Sequence, residues 1–240
     1  MDFYLALPSS FTPLYQNNYM SITPEFVKGL LKSEDIGKRL HAVNQIRTLK
    51  PKIAFELIQT AIGDTNTRVR YSAISQLDTL GNQNLDISLD ILRDHLLNDP
   101  EPDIQASAAD CLGALKLTQA FPDLQKIYET TNEWIVQFSI IAALGELGDN
   151  RAFKLLKSAL ASENELIKIA AVSSLGELGN MEAIPLLKRY TNNPDWQFRF
   201  RLVQALNNLG GSEAQRILEK MTQDTAELVS AEAQRSLQNF

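Results

Sequence analysis

The chain has one cysteine, Cys111, in 240 residues, with only two histidines and two tryptophans. A single thiol excludes an intrachain disulfide, a CxxC zinc site and a self-contained iron-sulfur site, all of which need several thiolates or histidine partners. His41 and His95 belong to no ligand set and are expected as surface or internally satisfied side chains, so no metal site is assigned. No apolar run approaches the roughly 20 residues of a membrane-spanning helix, and no basic segment leads into an apolar stretch. These absences fit a cytoplasmic protein in a reducing compartment. Basic runs are lacking too: 23 Lys and Arg face 29 Asp and Glu, a net charge of -6. A phosphate backbone is held chiefly by clustered cations, so nucleic acid is a poor candidate partner. Motifs of the GxSxG, Walker, GxGxxG and HExxH types are missing, and no catalytic residue is assigned.

What is present is repetition. Ala42, Ala73, Ala108, Ile140, Ala171, Leu202 and Ala233 occupy one equivalent position, separated by steps of 31, 35, 32, 31, 31 and 31 residues. A tandem repeat of this length is a solenoid, in which each unit buries its apolar face only by stacking on its neighbours. With that anchor as zero, positions minus four and plus four are apolar in nearly every unit, for example Val136 and Leu144 or Ile167 and Leu175. At 100° per residue these form one stripe, the expected core seam of the second helix of each pair.

Nine residues before the anchor stand Ser33, Asp64, Asp99, Thr131, Ser162, Asn193 and Asp224. All are preferred N-cap types. They are expected to cap the second helices, with Pro100 and Pro194 at the first helical position. Ser162 with Glu165, and Asp224 with Glu227, have capping-box spacing. Gly81, Gly148, Gly179 and Gly210 are the expected helix stops. Shorter amphipathic helices fill the gaps, and the 35-residue step is read as a longer turn around Asn82 to Asn84. Residues 1–19 are aromatic and turn-rich without helical period. An extension ahead of Met20 from start-site choice is one reading, and a capping or partner-binding arm the other. The expected division is therefore an N-terminal extension, residues 1–20, and one repeat domain, residues 21–240.

The strings VRYSAISQLDTLG from Val69, IAALGELGDNRAFKLL from Ile141 and VSSLGELGNMEAIPLLKRY from Val172 resemble HEAT repeats of the phycobilisome-lyase type. The resemblance covers residues 21–240 and implies an all-α, right-handed α-solenoid of about seven HEAT-type helix pairs. It also implies a cyanobacterial protein connected with phycobilisomes and photosynthesis. The partner would be a phycobiliprotein or a lyase-like second subunit, or alternatively an A-type iron-sulfur cluster carrier. The motif is structural and carries no catalytic residue. A binding scaffold and a phycobilin lyase-type enzyme both remain open, with no intrinsic cofactor and phycocyanobilin bound transiently at most.

Positions minus six, minus two, plus two and plus five point away from the core seam on the same wheel. The resemblance implies that this face lines the concave side. It should be polar, yet it carries Trp134 and Trp196 at minus six and Tyr71, Phe138, Ile169 and Phe200 at minus two. An aromatic patch on an open face marks an interaction surface. Packing between neighbouring second helices is the alternative. Arg199 and Arg201, beside Phe200, are suited to a partner's carboxylate. At minus three, Arg39, Arg70, Gln105, Gln137, Lys168, Arg199 and Ser230 form a ladder expected to reach neighbouring caps. The assigned partner-binding set is Trp134, Phe138, Ile169, Trp196, Phe200, Arg201 and Tyr71. Cys111 is expected as a small packed thiol, and Glu146 and Glu177 as solubility or inter-repeat charges.

Overall fold

A computed structural model describes residues 22–240. The expected extension, residues 1–20, lies outside the described residues. First helices run Pro24–Leu31, Pro51–Ile58, Leu85–Asn98, Phe121–Thr130, Phe153–Ala159, Ala183–Leu187 and Gly211–Met221. The second helices are Ile36–Ile46, Thr67–Ile74 continued by Leu77–Leu80, Pro102–Ala114, Trp134–Leu147, Glu165–Leu178, Trp196–Leu209 and Glu227–Leu237. Taken in order they make seven pairs, an all-α solenoid as the repeat predicts.

All seven anchors are fully buried, as are Ile46, Leu77, Leu112, Leu144, Leu175 and Leu206 at plus four. One continuous apolar core therefore runs between the two helix layers from Val27 to Ala233. Each unit lends the core one stripe and receives its cover from the next.

The helix starts differ from the sequence expectation. The true N-cap positions lie two residues later, at Asp35, Asn66, Glu101, Glu133, Asn164, Asp195 and Ala226. Asp35, Asn66, Asn164 and Asp195 accept from amides of the first turn. The expected caps instead accept from the backbone N–H two residues on, as Asp64 does from Asn66 at 2.8 Å and Asp224 from Ala226 at 2.8 Å. All seven make this side-chain turn. Short oxygen-bearing side chains favour it as readily as a cap. Pro100 and Pro194 consequently precede their caps, and neither proposed capping box forms: Glu165 and Glu227 are the first helical residues of their helices.

Of the expected side-chain ladder only the three arginines reach the neighbouring unit, while Lys168 pairs with Glu165 of its own helix. Arg39 grips Asp64 of the next unit through Nε at 2.6 Å and Nη2 at 3.0 Å. Arg70 holds Asp99 at 3.0 and 3.1 Å, and Arg199 holds Asp224 at 2.7 and 2.8 Å. Each Arg also donates to the carbonyl of the turn in its own unit, at Ser33, Asp64 and Asn193. Gln105 and Gln137 make the same intra-unit bond to Asp99 and Thr131. Burial alone would raise Asp64 and Asp99, but the arginine bonds and backbone N–H donors outweigh it and hold both below the ordinary carboxylate range. His95 is internally satisfied, with Nδ1 3.0 Å from Asp99 Oδ2.

The extra residues of the third unit lengthen its first helix to 14 residues, preceded by a 3-10 turn at Gly81–Gln83. They are not a loop. Gly81 is not a left-handed stop either: its φ is -59°, and the space of its absent side chain is filled by Leu115 and Ser88. Gly148 and Gly179 do end their helices left-handed, with φ of 68° and 71°. The equivalent residue of the third unit is Lys116, held at φ 53°. A Cβ in that region costs about 1 to 2 kcal/mol. Lys116→Gly is therefore expected to stabilise the array by about 1 kcal/mol, read as a higher urea midpoint at unchanged slope.

The second helices crowd one another. A Cβ on Gly113 would lie 2.7 Å from Ala143 Cα, on Gly145 2.7 Å from Ser174 Cα, and on Gly176 2.6 Å from Ala205 Cα. Successive second helices thus meet backbone to backbone, while successive first helices have far fewer contacts. The side of a stack on which elements come closest is the inside of its curve. The second helices therefore line the concave face.

Candidate protein-interaction face

This glycine seam shifts the exposed line away from the one read off the wheel. Position plus five, expected to face outward, is buried in the middle units because the next helix closes over it. Each second helix has two seams, one toward the core and one toward its neighbour. The open pole lies instead around minus five, plus two and plus six. Asp103, Asp110, Glu146, Leu166 and Glu177 stand there, all exposed.

Of the assigned residues, Trp134 is 49 % exposed, Tyr71 47 % and Trp196 41 %. Leu166, next to the assigned set, is 50 % exposed. Phe138, Ile169 and Phe200 are only partly exposed and pack against the core. For these three, packing between neighbouring helices accounts for much of their surface, and they support the exposed rings from below. Tyr71 shares a groove of about 570 Å3 with Leu40, Arg68, Asp110 and Ile135. Arg201 lies at the other end, in a groove of about 310 Å3 with Glu177, Gln204, Glu232 and Arg235. The seven assigned residues therefore lie along a trough and do not converge on one point.

Arg199 and Arg201 part company. Arg199 is buried in its pair with Asp224 and is not available to a partner. Arg201 is exposed, donates to Gln204 Oε1 at 3.0 Å and forms no ion pair among the described residues. Cys111 is buried and donates from Sγ to the Ile74 carbonyl at 3.3 Å. Burial pushes its thiol well up. It is a packed thiol, neither a nucleophile nor an accessible cluster ligand.

The carboxylates are what sequence reading undervalued. Burial raises Glu177, and the charge of Glu146 raises it further. Asp110 is also raised, first by burial, against a lowering bond to Ser139, with Glu146 again adding repulsion. Lys116 shares a groove with Glu146 and Glu177 but pairs with neither at salt-bridge distance. The signal that could have located this row is the run of small residues at plus three and plus five, which fixes where neighbours touch. A cleft of about 1010 Å3 lies elsewhere, between the first helix of the seventh unit and the turn before Trp196. Its lining is mostly polar, and Arg199 in its wall is already paired.

No group of three or more His, Cys, Asp or Glu that could hold a metal occurs among the described residues. None of their helices is long and apolar enough to cross a membrane. Helix pairs stacked on one continuous core define a protein of the α-solenoid class. More closely, a family model described as HEAT repeats matches residues 23–101, 89–167 and 154–238, and the chain belongs to the HEAT-repeat family. A chain in the structure of the complex of CpcE and CpcF of phycocyanin lyase from Nostoc sp. PCC7120 is similar over 96% of this chain and 99% of its own length. It is 20% identical, with a TM-score of 0.61. The archaeal HEAT-like repeats protein from Thermococcus onnurineus NA1 is 14% identical, with a TM-score of 0.56 over 91% of this chain and 97% of its own. At such identities the likeness is one of fold. No curated protein sequence matches the chain.

Proposed function

We propose that the chain is a protein-binding scaffold that holds a partner in the trough of its second helices. The observation that carries this is the exposed line Trp134, Leu166 and Trp196, with Tyr71 also exposed on the second helices. Large rings left in water cost solvation free energy that a partner's apolar surface recovers. The full-length likeness to a chain of a phycocyanin lyase complex favours a phycobiliprotein, or a second lyase-like subunit, as that partner. The protein would then work in the cyanobacterial cytoplasm. The iron-sulfur carrier reading is weakened, since buried Cys111 has no route to a cluster.

The test is recovery of apo-phycocyanin or a candidate second subunit on immobilised protein, comparing wild type with Trp134→Arg and Leu166→Asp. The expected result is at least a tenfold loss of recovery for each variant, as for a hot-spot residue worth about 2 kcal/mol, with helical content unchanged. Undiminished recovery by both variants would sink the proposal. The lyase reading rests on the same likeness and is decided in the same mixture. Addition of phycocyanobilin yields a covalent coloured product if the chain is part of an attaching enzyme, and none if it is a scaffold alone.

A further inference from the structure

The trough has a charge pattern that bears on its occupant. The apolar line is bordered by carboxylates on both sides. At the N-terminal ends of the second helices stand Glu133, Glu165 and Asp195, all exposed. Toward the C-terminal ends stand Asp110, Glu146 and Glu177. Of these six, only Glu165 has a cation at salt-bridge distance among the described residues, Lys168 at 2.7 Å. The charge of Glu146 adds repulsion at both Asp110 and Glu177, and Arg68, Lys116 and Arg201, which share grooves with these carboxylates, form no ion pair with them. Repulsion held across a binding face is relieved by a partner of opposite sign.

The spacing says more. From rim to rim, Glu133 to Glu146 and Glu165 to Glu177, is 13 and 12 residues along a helix, about 18 to 20 Å at 1.5 Å per residue. That leaves room for one further helix, about 10 to 12 Å across, with long cationic side chains reaching to either rim. Neighbouring second helices in such a stack lie about 8 to 10 Å apart. A helix laid across them therefore meets a new unit about every 5 to 7 residues, at most about two of its own turns.

Building on the scaffold reading, we propose that the partner element is a cationic amphipathic helix. Its apolar residues repeat at up to about seven-residue spacing and fall on Trp134, Leu166 and Trp196, and its Lys or Arg flanks face the carboxylate rims. Recognition is of the helix-in-groove kind, with apolar anchors for affinity and charge for register and orientation.

Trp134 and Trp196 are the only tryptophans in the chain, so their fluorescence reports on the trough directly. The probes are three synthetic peptides of about 21 residues, three repeats of the spacing above. One has a Leu stripe with Lys flanks, one the same stripe with Glu flanks, and one the Lys composition scrambled so that no stripe forms. The full chain is expected to bind the first at least tenfold more tightly than either other, with a shift in tryptophan emission and weakening by added salt. Glu146→Lys with Glu177→Lys, or the milder Gln pair, should reduce that binding about tenfold, with the Gln pair melting no lower than wild type because it removes the repulsion between the two carboxylates. Equal binding of the Glu-flanked or scrambled peptide would overturn the proposal. If no peptide binds but Trp134→Arg still abolishes partner recovery, the cationic-helix assignment fails and the scaffold stands. If no peptide binds and recovery is also unchanged, both fall.

Discussion

Leu175→Ala lowers the stability of the array by about 2 to 5 kcal/mol. Leu175 is fully buried in the last turn of the fifth second helix, four residues after its anchor Ala171, and it belongs to the core that joins the two helix layers. Truncation removes the transfer free energy of three carbons and leaves a void lined by residues of neighbouring helices. The array relaxes into that void only partly, since those neighbours are held by their own core contacts. In a linear stack the loss weakens the coupling of the fifth unit to both neighbours. Chemical denaturation should therefore show a lower midpoint, and hydrogen exchange should show loosening centred on residues 153–178. A loss below about 1 kcal/mol would contradict the fully buried environment.

Gly145→Leu is expected to be at least as damaging, for the opposite reason. A Cβ at this position would stand 2.7 Å from Ser174 Cα and from Glu177 Oε2. The carboxylate can swing away, but the neighbouring backbone cannot. The fourth and fifth second helices must move apart, and overpacking of this kind costs about 3 kcal/mol. Gly29 provides the control. It lies in the helix Pro24–Leu31, and a Cβ there would meet nothing within 4 Å. Gly29→Ala should gain up to about 1 kcal/mol from helix propensity alone. Thermal melts of the two variants should thus shift in opposite directions from wild type. A neutral Gly145→Leu would mean that the second helices are not in backbone contact.

The repeat was legible because every unit contributes an independent vote on the same position, and Ala42 through Ala233 agree. The capping residues were misplaced because each turn offers two oxygen-bearing side chains, such as Asp64 and Asn66. Either suits a helix start, and only the folded turn assigns one to the turn and one to the cap. The exposed face was misjudged for a different reason. A wheel drawn for one helix knows one apolar seam, whereas stacking adds a second along Gly113, Gly145 and Gly176. That second seam took position plus five out of solvent. Trp134, Trp196 and Tyr71 remained exposed as read, while Phe138, Ile169 and Phe200 became partly structural. The carboxylate row was present in the sequence but looked like ordinary surface charge, because its meaning depends on which units become neighbours.

The glycine seam also fixes how the middle of the array, from the third to the sixth unit, can bend. Contacts at van der Waals limit do not compress, so the inner layer holds its repeat distance while the sparsely touching first helices spread or close. The line through Gly113, Gly145 and Gly176 behaves as the neutral axis of a flexing beam. Curvature changes leave the ruler along the trough nearly constant, and a bound segment would keep its register as the scaffold flexes around it.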